Sequence, residues 1–194
     1  ALEAYSEAIA RGARSEAAKV EVRFQQAWTL YQNGRFSEAG PLFQSLAEDH
    51  PDTNRGLDAL FWGGDTAYQQ EQYSRAQTLF RRFLNANPTG PQQIGAQYAL
   101  AWTYLKQERF EAAAQRFRQV VRAGSALPDT DIPYQQDAQL RLADCYFALK
   151  RYDDARAAYD RVNGEGAEYA LYQGGRALYY AGQPGDARDH LRRF

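Results

Sequence analysis

The stretch FWGGDTAYQQEQYSRAQTLF, Phe61 to Phe80, decides how the chain is read. It holds no catalytic group in a familiar spacing, yet its skeleton recurs. Gly64 stands twelve positions before Ala76, Tyr73 three before that alanine, and Phe80 four after it. The alanine and its bulky follower return as Ala39/Phe43, Ala113/Phe117 and Ala155/Tyr159, preceded by Ala1/Tyr5 and closed by Ala187/Leu191. An aromatic precedes four of the alanines by three residues: Phe36, Tyr73, Phe110 and Tyr152. Twelve residues ahead of five of them stands a small residue: Ala27, Gly64, Ala101, Ala143 or Gly175. The segments between are polar and helix-ending: QNGR, QEQY, KQER, AGQPG.

Apolar positions three and four residues apart predict amphipathic helices. A small residue in the first helix and an alanine in the second let two axes approach to roughly 8–10 Å. The aromatic before the alanine is expected to plug the turn, and the one after it to pack against the next unit. A hairpin of this kind cannot bury its apolar face alone, so the copies must stack.

These residues resemble the tetratricopeptide repeat family, whose unit is a helix pair of about 34 residues. The resemblance spans essentially the whole chain. It implies an all-α fold, a right-handed superhelical solenoid of stacked antiparallel helix pairs. The alanine-to-alanine steps are 38, 37, 37, 42 and 32. The extra residues fall at HPDTNRG, NPTGPQQIG and GSALPDTDIPYQQ, where Pro51 and Pro88 match the family's closing proline and Ser125, followed by Pro128, replaces it in the third copy. The long proline-bearing linkers are similar to those of bacterial envelope members, such as the Tol-Pal-associated periplasmic protein and the lipoprotein of the outer-membrane assembly complex. That likeness leans the expected setting towards the periplasm or cell envelope.

A single solenoid over 1–194 is expected, with a half repeat at 1–15 and repeats at about 16–52, 53–89, 90–131, 132–165 and 166–194. The chain opens on a second helix and holds no methionine, so it is expected to be a stretch of a longer protein. Pro184 suits a first helical turn. Pro41 falls inside a second helix, where it should remove a backbone bond or bend the helix.

With 23 Lys and Arg against 24 Asp and Glu, no electrostatic attraction to nucleic acid is built in. No apolar run approaches the ~20 residues of a membrane span. Phosphate-cradling glycine loops, HExxH, GxSxG and CxxC patterns are all missing, which argues against an enzyme and calls for no cofactor or metal. His50 and His190 read as solvated or capping residues, and Cys145 as a small buried hydrophobe. Asp153-Asp154 suits a helix start. Arg81-Arg82, Arg116-Arg118 and Arg192-Arg193 read as a solvated convex face.

The resemblance implies that first helices line a concave groove. One inward row is Phe24, Phe61, Tyr98, Leu140 and Tyr172. The next is Trp28, Asp65, Trp102, Asp144 and Arg176; the third is Tyr31, Tyr68, Leu105, Phe147 and Tyr179. Rows one and three can equally pack between neighbouring first helices, whereas Trp28 and Trp102 occupy a row that is usually polar. Glu21, Asp58, Asp65, Asp137 and Asp144 are expected inside or at the rim, against Lys106 and Arg176, which argues against a carboxylate clamp. The expected partner is therefore an apolar protein segment or helix with some Lys or Arg. The competing expectation is a structural spacer that associates end to end without a ligand of its own.

Overall fold

The computed structural model describes residues 15–86, 89, 91–126 and 134–192. The expected half repeat at 1–15 lies outside them except for Ser15. The described residues form ten α-helices and no strand. They pair in order: α1 (Glu16–Gln32) with α2 (Phe36–Asp49), α3 (Asn54–Gln69) with α4 (Tyr73–Asn85), α5 (Pro91–Lys106) with α6 (Phe110–Ala126), α7 (Gln135–Ala148) with α8 (Tyr152–Tyr159), and α9 (Ala167–Tyr180) with α10 (Pro184–Leu191). Two compact units result, Ala1–Pro88 and Thr89–Phe194. The first holds α1 to α4 and the second α5 to α10.

Within each unit the second helix of a pair packs on the first helix of the next: α2 on α3, α6 on α7, α8 on α9. The repeated small residues and their bulky followers meet inside each pair, not against the next unit as the sequence suggested for Phe80 and Phe117. Ala27, Ala39, Ala76, Ala101, Ala113, Ala143 and Ala155 are wholly buried, and so are Phe43, Phe80 and Phe117. Gly64 faces the Phe80 ring so closely that a Cβ there would lie 2.8 Å from it. At Gly175 a Cβ would come within 2.5 Å of Leu191. The small residue admits the bulky one that closes its own pair.

Every turn inside a pair is built alike. A residue in the left-handed region stands two positions before each second helix: Gly34, Glu71, Glu108, Lys150 and Gly182. The next amide then reaches back to close the first helix, as Arg35 N–H does to the Leu30 carbonyl at 2.9 Å and Gln72 N–H to that of Ala67 at 2.8 Å. This satisfies carbonyls that the helix end would otherwise orphan. Across the turn, Tyr31 meets Phe36, Tyr68 meets Tyr73 and Phe147 meets Tyr152, edge to face with centroids 5.4, 5.6 and 5.5 Å apart. Ser15 and Thr53 cap α1 and α3 by accepting from Ala18 N–H and Gly56 N–H at 3.2 and 3.0 Å.

Several expectations need correction. α2 runs unbroken through Pro41, because the ring sits on the exposed side and the carbonyl it leaves without a helical donor belongs to exposed Ser37. α6 continues to Ala126, so the start of the third linker is helical. α8 has only 8 residues, which accounts for the short last step, from Ala155 to Ala187. His190 is 6% exposed rather than solvated. Its Nε2 lies 3.0 Å from the Leu171 carbonyl oxygen and donates to it, in space left by Gly174. Arg116 and Arg118 are half-buried; Arg116 donates to Gln97 at 3.0 Å and Arg118 lies over the Tyr146 ring. Cys145, by contrast, is fully buried as expected, which pushes its thiol up to about 12.

The glycines make the packing testable. Gly64→Ala should destabilise the chain by about 1–3 kcal/mol, since the buried Phe80 ring has nowhere to move. Gly95→Ala in α5 meets nothing within 4 Å and should stabilise by about 0.5–1 kcal/mol. Urea unfolding of both variants checks the opposite signs.

Candidate partner-binding faces

In the first unit, α1 and α3 lie side by side and bring their aromatics together. Trp28 meets Trp62 edge to face at 4.4 Å and stacks on Tyr31 at 5.4 Å. Tyr31 also meets Trp62 at 5.2 Å and donates its hydroxyl to Asp65. Phe61 joins through Trp62 at 5.1 Å and reaches inward to Phe80 and Phe83 at 5.8 and 5.5 Å. Tyr68 rests on Tyr73 at the turn. Phe24 is core: it is 5% exposed, edge-on to Phe43 at 5.8 Å, and covered by the Arg55 guanidinium at 4.3 Å. It cannot serve as a contact residue.

Arg55 changes the electrostatics of this face. It grips Glu21 at 2.7 and 2.8 Å and reaches Asp58 at 3.0 Å. The Arg55 guanidinium, with the Gln25 amide, holds the Glu21 carboxyl below its usual range. Glu21 and Asp58 therefore share one guanidinium, while Asp65 accepts from the Tyr31 hydroxyl. The rim stays acidic but less so than the sequence implied.

In the second unit, Tyr98 donates its hydroxyl to Asp137 at 2.7 Å and stacks on Tyr134 at 4.6 Å. Trp102 stands edge-on to Tyr98 and Phe117 at 6.4 and 6.1 Å, under the Arg141 guanidinium at 5.4 Å. Arg141 bridges Asp137 at 3.2 Å and Asp144 at 2.8 Å. Asp144 also accepts from Tyr159 at 2.8 Å and Tyr169 at 3.4 Å. Beside this network Asp137, Leu140, Arg141, Glu165 and Tyr169 line a cavity of about 600 Å³. Arg176 lies over Phe147 and Tyr180 at 5.1 and 5.9 Å, while Tyr172 and Tyr179 are 50% and 64% exposed beside α10.

Of the expected residues, then, Trp28, Tyr31, Phe61, Asp65 and Tyr68 are assembled in the first unit. Tyr98, Trp102 and Asp144 are assembled in the second. Tyr172, Arg176 and Tyr179 form a separate group at the last pair. Sequence reading missed Trp62, Arg55, Arg141, Tyr134, Tyr169 and Tyr180. For the two arginines a signal existed, since each stands three residues before an aspartate, as Arg55/Asp58 and Arg141/Asp144, the spacing of neighbours on a helix face. The arrangement offers ring faces, hydroxyls and carboxylates for docking. Among the described residues no group of three His, Cys, Asp or Glu is placed to hold a metal ion, and no helix is long and apolar enough to cross a membrane.

A family model described as the tetratricopeptide repeat matches residues 1–54, 24–91, 61–128 and 98–170. Among solved structures, the fold is similar to that of YrrB, described as a TPR protein with an unusual peptide-binding site, at 18% identity over 99% of this chain and 91% of that one, with TM-score 0.77. It is also similar to the MamA protein, at 16% identity over 89% and 88%, with TM-score 0.74. A third likeness is to the repeats of a putative kinesin light chain from Podosopora anserina, at 18% identity over 90% and 92%, with TM-score 0.67. None of the curated proteins matches.

The buried tyrosines predict an alkaline limit. Burial first, and then the carboxylate each one faces, pushes Tyr31, Tyr98 and Tyr159 above the usual tyrosine range. A phenol that ionises later when folded contributes stability that is complete below its unfolded value of about 10 and is lost as pH rises past it. The urea midpoint should hold from about pH 7 to 9 and fall above about pH 10. A Tyr31→Phe/Tyr98→Phe/Tyr159→Phe variant should show a shallower fall, and an unchanged alkaline limb would contradict the assignment.

Proposed function

As the chain belongs to the tetratricopeptide repeat family, we propose that it is a non-enzymatic interaction scaffold whose first helices bind an apolar, partly basic segment of another protein. The observation that carries this reading is the aromatic wall of Trp28, Tyr31 and Trp62, rimmed by more carboxylates than guanidinium groups. Ring faces of this kind supply most of the affinity in protein interfaces, and the charge at the rim steers and orients. Trp102, with Tyr98, Tyr134 and Asp144, repeats the chemistry in the second unit. The unusual peptide-binding site of YrrB, a protein of similar fold, supports a peptide as ligand. The proline-bearing linkers after α2 and α4 support a bacterial envelope setting, periplasmic by preference, which fractionation of the native cells tests.

A phage-displayed peptide library panned on the immobilised chain should return sequences rich in aromatic and aliphatic residues with Lys or Arg. Trp28→Ala/Trp102→Ala should weaken the best of these peptides at least tenfold, about 1.4 kcal/mol, while far-ultraviolet circular dichroism stays fully helical. Unchanged affinity would reject the aromatic wall as the binding site.

A further inference from the structure

One place recurs in the seams between neighbouring first helices and is filled differently each time. It lies nine residues before the small residue of the later helix. In the α1–α3 seam it is Arg55, nine before Gly64; in the α5–α7 seam, Tyr134, nine before Ala143; in the α7–α9 seam, Gly166, nine before Gly175. Opposite it, three residues before the small one of the earlier helix, stand Phe24, Tyr98 and Leu140 respectively. The Arg55 guanidinium lies 4.3 Å from the Phe24 centroid, and the Tyr134 ring stacks on Tyr98 at 4.6 Å. A flat group thus covers the earlier helix in both of those seams.

The α7–α9 seam has no such group. Gly166 faces Leu140, whose Cδ2 would be 3.2 Å from a Cβ there, and its φ of 93° is one that a side chain takes only under strain. What remains is the cavity of about 600 Å³ between Leu140, Asp137, Glu165 and Tyr169. Both of its walls, α7 and the start of α9, are in place, joined by Tyr169 and Asp144. It lacks one side chain at position 166, not a further helix.

The first seam also shows which charges surround a group in this place. Arg55 is held by Glu21, six residues before Ala27, and by Asp58. Asp137 holds the place of Glu21 in α7, six residues before Ala143. One of its oxygens accepts from Tyr98 and the other from Arg141, so each keeps a free lone pair. Glu165 has no ion-pair partner among the described residues. Arg141 is engaged by Asp137 and Asp144 and rests over Trp102. Two carboxylates therefore line the cavity against one guanidinium that is already paired.

The geometry points to the α7–α9 cavity as the subsite for an arginine side chain of the bound protein segment, which takes the place that Arg55 fills in the first seam. Its stem covers Leu140, its flat face meets Tyr169, and its edge donates to Glu165 and Asp137. This rests on the partner-binding reading given above and fixes where the basic residue of the segment goes, next to Trp102.

The probes are three acetylated and amidated pentapeptides, Leu-Ala-X-Ala-Leu, with arginine, lysine or citrulline at X. Each is titrated into the full nitrogen-15-labelled chain and followed by amide chemical shifts. The arginine peptide should bind saturably, with its largest shifts in residues 136–141 and 165–169. It should bind about fivefold more tightly than the citrulline peptide, which has the same shape without the charge. The lysine peptide should fall between them, since an ammonium does not stack flat. Glu165 lies in an exposed turn, so Glu165→Gln keeps the fold and should erase most of the preference for arginine. Absence of saturable binding overturns the proposal, as does a citrulline peptide that binds equally well or a preference that Glu165→Gln leaves whole. A chain dimer, seen by sedimentation and abolished by Glu165→Gln, would give the cavity to a second copy and also overturns it. The two readings fail apart: unchanged affinity in the Trp28→Ala/Trp102→Ala variant removes the aromatic wall, whereas a lost arginine preference removes only the cavity.

Discussion

Everything in this molecule depends on the close approach of two helices at a residue with little or no side chain. At Gly64 the Phe80 ring stands where a Cβ would be, and Phe80 is wholly buried. The residues in the same places of three other pairs, Ala27 and Phe43, Ala101 and Phe117, Ala143 and Tyr159, are likewise buried. Interiors pack at crystal-like density, so a contact of this kind sets distance and angle together. A fixed angle repeated along the chain then decides which face of each first helix meets its neighbour.

The turns reinforce that register. Three of the five left-handed turn positions are Glu71, Glu108 and Lys150, residues that accept such a backbone only at a cost. They do so because two amide-to-carbonyl bonds close the helix there and because an aromatic pair clamps the turn in three of the five copies. Those clamps also occupy part of the surface that resemblance alone would assign to a ligand. Tyr68 and Phe147 are held by their own turns before any partner arrives, whereas Trp28 and Trp62 lean on each other, on Tyr31 and, for Trp62, on Phe61.

Charge follows the same logic of arrival. Arg55 and Arg141 each belong to the later helix of a neighbouring pair and each settles over an aromatic ring of the earlier one, Phe24 and Trp102. In that place each also binds two carboxylates. A guanidinium is suited to this, since its flat face stacks while its edge donates. One residue thus covers an apolar ring and halves the local negative charge, and the acidic rim read from the sequence becomes a paired network with a residual excess of acid.

Helix pairing and register were determined by the sequence itself: alternation of small, aromatic and alanine positions at helical spacing leaves one way to bury each face, and that pattern is local to about 35 residues. The kinship with tetratricopeptide repeats was legible for the same reason. What only tertiary structure decided was the fate of each inward aromatic. Phe24 and Tyr172 share a register, yet one is 5% exposed and the other 50%. Tyr31 and Tyr179 share another, yet Tyr31 is bonded to a residue 34 positions away and Tyr179 lies open. Periodicity states which way a side chain points along its own helix. Whether anything comes to meet it depends on the next helix to pack there, and that is settled by contacts between residues far apart in the chain.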